Sequence, residues 1–438
     1  MSSKKKTIAT KEDAKPALVP KLRFPEFREA EGWKMSCFDE VLSPVVRERP
    51  KPAKAYLGLG LRSHGKGTFL KPLADPAKNS MDQLYEVKTN DLIVNITFAW
   101  EGAVAIAQEC DEGALVSHRF PTYTFEKGRT TPEFFRYIIL DKQFIYNLGV
   151  ISPGGAGRNR VLSKNDFLKL RVALPSPAEQ QKIAECLSSV DEVIAAQARK
   201  VYALKTHKKG LMQQLFPREG ETQPRLRFPE FQNDGEWVEK SFSELCDIKH
   251  GYAFESEFFS NEGDYVLLTP GNFYEEGGYR DRGEQQKYYT GEIPRDYVLA
   301  QGDMLVAMTE QAVGLLGSPI LVPESDKFLH NQRLGLVMRK PGVVWVNEFF
   351  FHVFNNQRIR KAIHDTASGT KVRHTSPTKI GEVPVSVPST LAEQQRIALC
   401  LSSLDALITA ETQKHEALKR HKRGLMQQLF PSPEEAEA

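Results

Sequence analysis

Glycine meets arginine, lysine and histidine in three loops: RSHGKG at 62–67, SPGGAGRNRVLS at 152–163 and ASGTKVRHTSP at 367–377. Cationic side chains on a backbone free to turn tightly can bind anions, because N–H groups and charges close on an oxyanion with no Cβ in the way. The first loop nearly matches a nucleotide P-loop, Gly60-Leu-Arg-Ser-His-Gly65-Lys66-Gly67. It lacks the final Ser/Thr that would ligate magnesium; Thr68 comes one place late and no clear helix follows, so the segment reads as a plain loop. Asp75, Glu86 and Lys88 echo the Asp…Glu-x-Lys arrangement of many nucleases, a triplet that chance supplies in a charged chain. No HExxH, Gly-x-Ser-x-Gly, Asn-Pro-Pro-aromatic or CxxC occurs, so no catalytic and no metal-ligating residue is assigned.

The chain has 438 residues, room for two or three domains, with 40% hydrophobic and 26% charged residues and a formal charge of +3. That total charge selects no partner. Five cysteines without metal-site spacing suggest neither zinc nor a disulfide framework. No signal sequence or apolar run of membrane length is present, so a cytoplasmic protein without membrane attachment is expected.

The elements that must position the loops come from a duplication. Residues 178–217 return at 392–431 with 27 identities in 40 ungapped positions. LRFPEF occurs at 22–27 and 226–231, each followed by a tryptophan, Trp33 and Trp237. Each long repeat opens with a capping box, Ser176-Pro177-Ala178-Glu179 and Thr390-Leu391-Ala392-Glu393. Apolar residues then follow a heptad: Ile183, Leu187, Val190, Ile194, Val201, Leu204, Leu211 and Leu215, and Ile397, Leu401, Leu404, Ile408, Leu418, Leu425 and Leu429. Gln197, Lys208, Glu411, His415 and Lys422 are its polar beats. Spacings of four and three predict a coiled-coil seam, and a 39-residue helix would be a rod of roughly 58 Å. The obvious partner for each rod is the other, antiparallel about a pseudo-twofold axis. Cys186 and Cys400, equivalent in the repeat, suit small buried side chains.

Between the repeats lie two modules of ordinary domain size with short β-like runs, such as Asp91–Phe98 and Asp303–Met308. Pro132–Leu148 and Asn347–Ile363 each read as one helix before a Gly-rich basic loop. The expected organisation is a tail at 1–19, a first module at 20–175, a helix at 176–217, a linker and second module at 218–388, a helix at 389–431 and a tail at 432–438. The fold class is α+β: two α/β modules separated by two long antiparallel helices.

The doubled order LRFPEF…Trp, variable module, Gly-rich loop and Leu-Pro-Ser-Pro-x-Glu-Gln-Gln-x-Ile-Ala helix resembles the specificity subunit of type I restriction-modification enzymes, over about Leu18 to Pro431. The resemblance implies two target-recognition domains, each reading half of a split asymmetric sequence in double-stranded DNA. It implies a subunit without chemistry of its own, two methyltransferase (modification) subunits using S-adenosylmethionine, and restriction/translocase subunits using ATP and magnesium. The helix ends and LRFPEF segments become candidate docking surfaces.

Base edges are read by Arg, Lys, Asn and Gln, and phosphates by exposed cations. In the first module these would be Arg62 and Lys66 with His64, Arg119 beside His118, and Arg158, Asn159, Arg160 and Lys164. In the second they would be Arg280, Arg282, Gln285, Gln286 and Lys287, then Asn331, Gln332 and Arg333, and Lys371, Arg373 and His374. Half-sites on one duplex face lie roughly 34–36 Å apart, a spacing such a rod can hold. The competing readings are a coiled-coil protein adaptor, which would not shift DNA, and an independent nuclease, which would cleave with magnesium alone.

Overall fold

The structure is a computed structural model describing residues 18–154, 160–310, 312, 314–369 and 372–431. The chain divides into two compact units, one built from residues up to 196 with those from 415 onward, the other from 197–414. Both boundaries fall inside long helices.

Unit 1 has a helix layer, a central sheet and a second sheet. The central sheet is antiparallel, in the order Leu42–Val45, Thr122–Phe125, Leu92–Val94, Val104–Ile106. Leu92 and Val94 point to the helices, packing with Phe134, Phe135 and Tyr137 of α1 (Pro132–Ile138) and Phe144 and Leu148 of α2 (Lys142–Val150). Ile93 points the other way, to Leu59, Leu61 and Val116 of the second sheet. A strand covered on both faces needs an unbroken apolar run, and the sequence supplies one. The second sheet has the order Glu48–Pro50, Gln83–Glu86, Leu115–Val116, Tyr56–Leu61, Thr68–Ala74. Its one parallel pairing joins Tyr56–Leu61 to Leu115–Val116. Lys34–Cys37 pairs with Arg171–Leu174 after the short α3 (Lys164–Leu168), and α4 (Pro177–Leu215) starts in this unit.

Unit 2 repeats the plan. After α5 (Phe242–Leu245), Cys246–His250, Leu334–Arg339, Met304–Ala307 and Pro319–Leu321 form a central sheet with the same strand order. Met304 and Val306 face α6 (Asn347–Phe354) and α7 (Gln357–Asp365); Leu305 and Ala307 face the second sheet. α8 (Pro377–Gly381) precedes Pro384–Val387, which pairs with Val238–Ser241, and α9 (Leu391–Leu429) follows. The second sheets share a parallel pair, here Tyr265–Leu267 with Phe328–Leu329, but are extended differently around it. The modules therefore diverge in the layer that carries much of the loop variation.

The helices expected at Pro132–Leu148 and Asn347–Ile363 are each two helices. Asp141 and Asn356 interrupt them, accepting hydrogen bonds from the amides of Gln143 and Phe144 and of Arg358 as N-caps. A short polar side chain can replace the missing intrahelical partner, so the chain turns there. Cys186 and Cys400 are half-buried.

The capping boxes form only in part. Ser176 Oγ and Thr390 Oγ1 accept from the amides of Glu179 and Glu393 at 3.3 and 3.4 Å. The carboxylates turn elsewhere. Glu179 receives Arg23 at 2.8 and 2.7 Å and Trp33 Nε1 at 3.4 Å; Glu393 receives Arg227 at 2.8 Å twice and Trp237 Nε1 at 3.2 Å. The LRFPEF arginines are thus buried staples rather than free docking groups. The Leu22 amide donates to Gln428 O, and the Leu226 amide to the equivalent Gln214 O, both at 2.9 Å.

Of the residues expected to form a seam, Ile183, Leu187, Ile397 and Leu401 are buried, while Val190, Ile194, Leu204, Leu211, Leu404, Ile408, Leu418 and Leu425 are half-buried. The polar beats are paired within their units. In unit 1, Lys422 meets Asp191 at 2.6 and 2.8 Å; in unit 2 their repeat equivalents, Lys208 and Asp405, meet at 2.5 Å. Gln197 donates to Glu411, its own equivalent 214 residues on, at 2.6 Å.

A helix residue stands beside each Lys–Asp pair: Tyr137 donates to Asp191 at 3.2 Å, while the fully buried His352 lies with Nε2 3.2 Å from Ser402 Oγ and Nδ1 4.0 Å from Asp405, beyond hydrogen-bond reach. Burial, then Lys208, pushes His352 from 6.5 down to about 3. The unfolded chain therefore binds a proton that the folded chain refuses between these values, and stability falls as pH drops from about 6.5 toward 3. Thermal unfolding followed from pH 7 to pH 5 should show a steeper loss in the wild type than in His352→Tyr. Parallel curves would remove His352 as a source.

Candidate nucleic-acid interface

In unit 1 the turn joining Leu92–Val94 to Val104–Ile106 is the gathering point. The Ile96 amide donates to Arg119 O at 3.0 Å, and the Leu162 amide to Ile96 O at 2.8 Å. The 62–67 turn docks on the same tip: His64 N reaches Glu101 O at 2.7 Å and Gly65 N reaches Gly102 O at 2.9 Å. Arg119 Nη1 donates to Thr97 Oγ1 at 3.2 Å, and Arg160 lies over the Trp100 ring at 5.4 Å. Arg62, Lys66, Arg119 and Arg160, from three separate sequence positions, are thus brought to one tip. Lys164 is exposed at the start of α3. Arg158 and Asn159 lie outside the described residues.

The P-loop look-alike is a hairpin between Tyr56–Leu61 and Thr68–Ala74. The Phe69 ring covers Gly60, where a Cβ would stand 2.3 Å from it, and Arg62 sits 5.3 Å above that ring. Asp75 caps a turn through the Ala77 amide and Glu86 is paired with Arg49, so neither is gathered with the other for catalysis.

Unit 2 builds the same frame. The Met308 amide donates to Arg333 O and the Thr375 amide to Met308 O, each at 3.0 Å. Arg333 therefore stands where Arg119 does, and Arg373 where Arg160 does. The Glu310 amide donates to Arg373 O at 2.9 Å, His374 Nδ1 is 3.1 Å from Thr309 Oγ1, and Arg373 Nη1 is 2.8 Å from His364 Nε2. The longer loop after Tyr265–Leu267 carries exposed Arg280 and half-buried Arg282, with exposed Lys287 over Phe259. Arg360 ties that loop to the tip through Glu275 O at 3.2 Å and Gly314 O; burial pulls its guanidinium down to about 10. Lys371 lies outside the described residues.

Two expected readers are corrected. Asn331 is 7% exposed and its Oδ1 accepts from the Arg333 amide; its backbone packs so closely on Gly251 that a Cβ there would be 2.1 Å from Asn331 O. Gln286 is 3% exposed, and its Oε1 accepts from Asn272 Nδ2 and the Arg282 amide. Both shape turns, leaving Gln285, Gln332 and Arg333 exposed beside them.

Among the described residues, none of Arg62, Lys66, Arg119, Arg160, Lys164, Arg280, Arg282, Lys287, Arg333 and Arg373 makes an ion pair. Arg47, Arg49, Lys169 and Lys327 nearby in sequence do. A cation without a carboxylate partner is available to a phosphate or a base edge. Sequence reading missed Thr97, Phe98 and Trp100, which sit on the tip itself; NITF read as the end of a strand, though Phe98 to Gly102 make a tight turn with Gly102 at φ 74°. Among the described residues no His, Cys, Asp and Glu group is placed to hold a metal ion, and no helix is long and apolar enough to cross a membrane.

The family model described as the type I restriction modification DNA specificity domain matches twice, at residues 31–206 and 234–420. The chain is 24% identical over 273 residues to the type I restriction enzyme MjaVIII specificity subunit of Methanocaldococcus jannaschii, covering 61% of this chain and 63% of that protein. It is 28% identical over 184 residues to the EcoBI specificity subunit of Escherichia coli, covering 42% and 35%. The match thus spans less than two thirds of either relative. Among solved structures, the type I restriction-modification S subunit from M. genitalium aligns over 94% of this chain and 99% of that one, at 14% identity and a TM-score of 0.58. A chain from a structure titled for complex assembly and conformational transition of the type I R-M system aligns over 92% and 98%, at 17% identity and a TM-score of 0.54. Two successive domain matches on two units of like plan place this chain in the type I restriction modification DNA specificity domain family.

Proposed function

We propose that this chain is the DNA-reading subunit of a type I restriction-modification complex, with each unit reading one half of a bipartite site in double-stranded DNA. The observation that carries the proposal is the repeated tip: two units present arginines that make no ion pair among the described residues, Arg119 and Arg160, then Arg333 and Arg373, on equivalent backbone hydrogen bonds. Methyl transfer and cleavage belong to partners: two modification subunits supplying S-adenosylmethionine chemistry, and restriction/translocase subunits supplying ATP- and magnesium-dependent work. The long helices pair antiparallel along a coiled-coil seam, set the gap between half-sites and dock the modification subunits. The reciprocal Lys422–Asp191 and Lys208–Asp405 pairs support that pairing.

A salt titration of duplex binding tests the placement. Arg160→Ala and Arg373→Ala should each weaken binding and lower the slope of log affinity against log salt by about 0.9, the value of one lost phosphate contact. Unchanged slopes would move the interface elsewhere. A chain that shifts no duplex at low salt, with or without its modification partner, would be a protein adaptor instead.

A further inference from the structure

The two tips share a frame but not a reading group. Val94 opposite Val104 and Val306 opposite Pro319 fix the register of the two hairpins, so Ile96, Thr97 and Phe98 correspond to Met308, Thr309 and Glu310. In unit 1 the corresponding residue is an aromatic ring; in unit 2 it is a carboxylate. Phe98 is 36% exposed, whereas its neighbours Ile96 and Ala99 are buried. The Asn95 carbonyl accepts from the Phe98 amide at 3.1 Å and the Phe98 carbonyl from the Ala103 amide at 3.2 Å, so the backbone beneath the ring is fixed. Arg119 is anchored one residue before it on Thr97, and Arg160 two residues after it on Trp100. Glu310 is less available: its Oε1 accepts from the Gly314 amide at 3.0 Å and its Oε2 is 3.9 Å from His364.

We infer that Phe98 is a specificity-determining residue of the first unit, resting its ring against the C5-methyl of a thymine in the half-site that unit reads. The inference rests on the DNA-reading role proposed above. An exposed ring on a rigid turn between two guanidiniums that make no ion pair among the described residues has one feature of the major groove to match, since among the bases only thymine presents a methyl there. The arginines supply the neighbouring polar and phosphate contacts. A ring held from below gains contact with a methyl at little cost in side-chain freedom, and an apolar contact of that size discriminates by about tenfold or more. Glu310 at the matching station has no such use for a methyl, so the two units differ in what they require there.

The test uses the full-length chain, with its modification partner, on its own methylated motif. Each thymine of the motif is replaced singly by uracil, which removes only the methyl, and affinity is compared for the wild type, Phe98→Ala and Phe98→Leu. At one thymine the wild type should lose about tenfold on replacement. Phe98→Ala should bind the thymine and uracil duplexes alike, with the uracil affinity of the wild type, and Phe98→Leu should keep part of the discrimination. A motif without thymine, a wild type indifferent to every uracil, or discrimination retained in Phe98→Ala would each overturn the inference. A chain that binds no duplex at all would instead overturn the DNA-reading role beneath it.

Discussion

Glu179→Gln should destabilise the folded chain by roughly 3–5 kcal/mol, the cost of leaving a buried charge without its partner. Arg23 and Glu179 side chains are 6% and 1% exposed, and the carboxylate also receives Trp33 Nε1. Glutamine keeps the shape and one acceptor oxygen but removes the charge, so buried Arg23 is left with neutral acceptors only, among them the carbonyls of Ala30 and Glu31, each at 2.8 Å. Glu393→Gln should do the same in unit 2, where Arg227 would keep neutral acceptors, Asp234 O and Gly235 O among them, but no counter-charge. Denaturant midpoints measure the loss. Glu26→Gln is the control, because the Lys182–Glu26 pair is 46% exposed on both sides and such pairs contribute little. If Glu179→Gln moved the midpoint no further than this control, the pair would not be a staple. The size of the effect reflects the pair's burial, not a large net gain from forming it.

Arg119→Ala should relax sequence preference in one half of the DNA motif and Arg333→Ala in the other. Each loss is about 1–3 kcal/mol, or 5–150-fold in affinity for the cognate site, if each guanidinium makes a good base contact. The carbonyls of these residues hold the tips through Ile96 and Met308, and truncation to alanine keeps those backbone bonds. The side chains are therefore removed without removing the frame. Methylated motifs mapped in cells carrying each variant give the readout. Equal weakening of both halves, or weakening on every sequence alike, would make these arginines phosphate contacts and not readers.

The fold was legible where the signal is local. A heptad repeats within a few residues, and both helices run 39 residues, inside the 176–217 and 389–431 limits expected. DLIV and DMLV read as short β-like runs; the structure makes them strands covered on both faces, which is why they are apolar throughout. The single helices expected before the Gly-rich loops failed for an equally local reason: Asp141 and Asn356 can serve a helix or begin one, and only the packing of two short helices on the central sheet chooses.

The candidate site was legible by residue type, and much less so by availability. Asn331 and Arg333 are two residues apart and look alike as hydrogen-bonding groups. One is spent on a turn and the other is exposed, because the Gly251 backbone packs against the first. Phe98 carried no signal at all, since an aromatic beside a strand is ordinarily core.

By itself the sequence determined the duplication, the two capped and striped helices and the basic Gly-rich loops, because each is written in neighbours along the chain. Tertiary structure alone decided that Glu179 meets Arg23 across 156 residues, that Lys422 finds Asp191 across 231, and that Arg62, Arg119 and Arg160 share one tip. Buried charge must be matched by whatever the fold brings near, and that partner has no fixed distance in sequence.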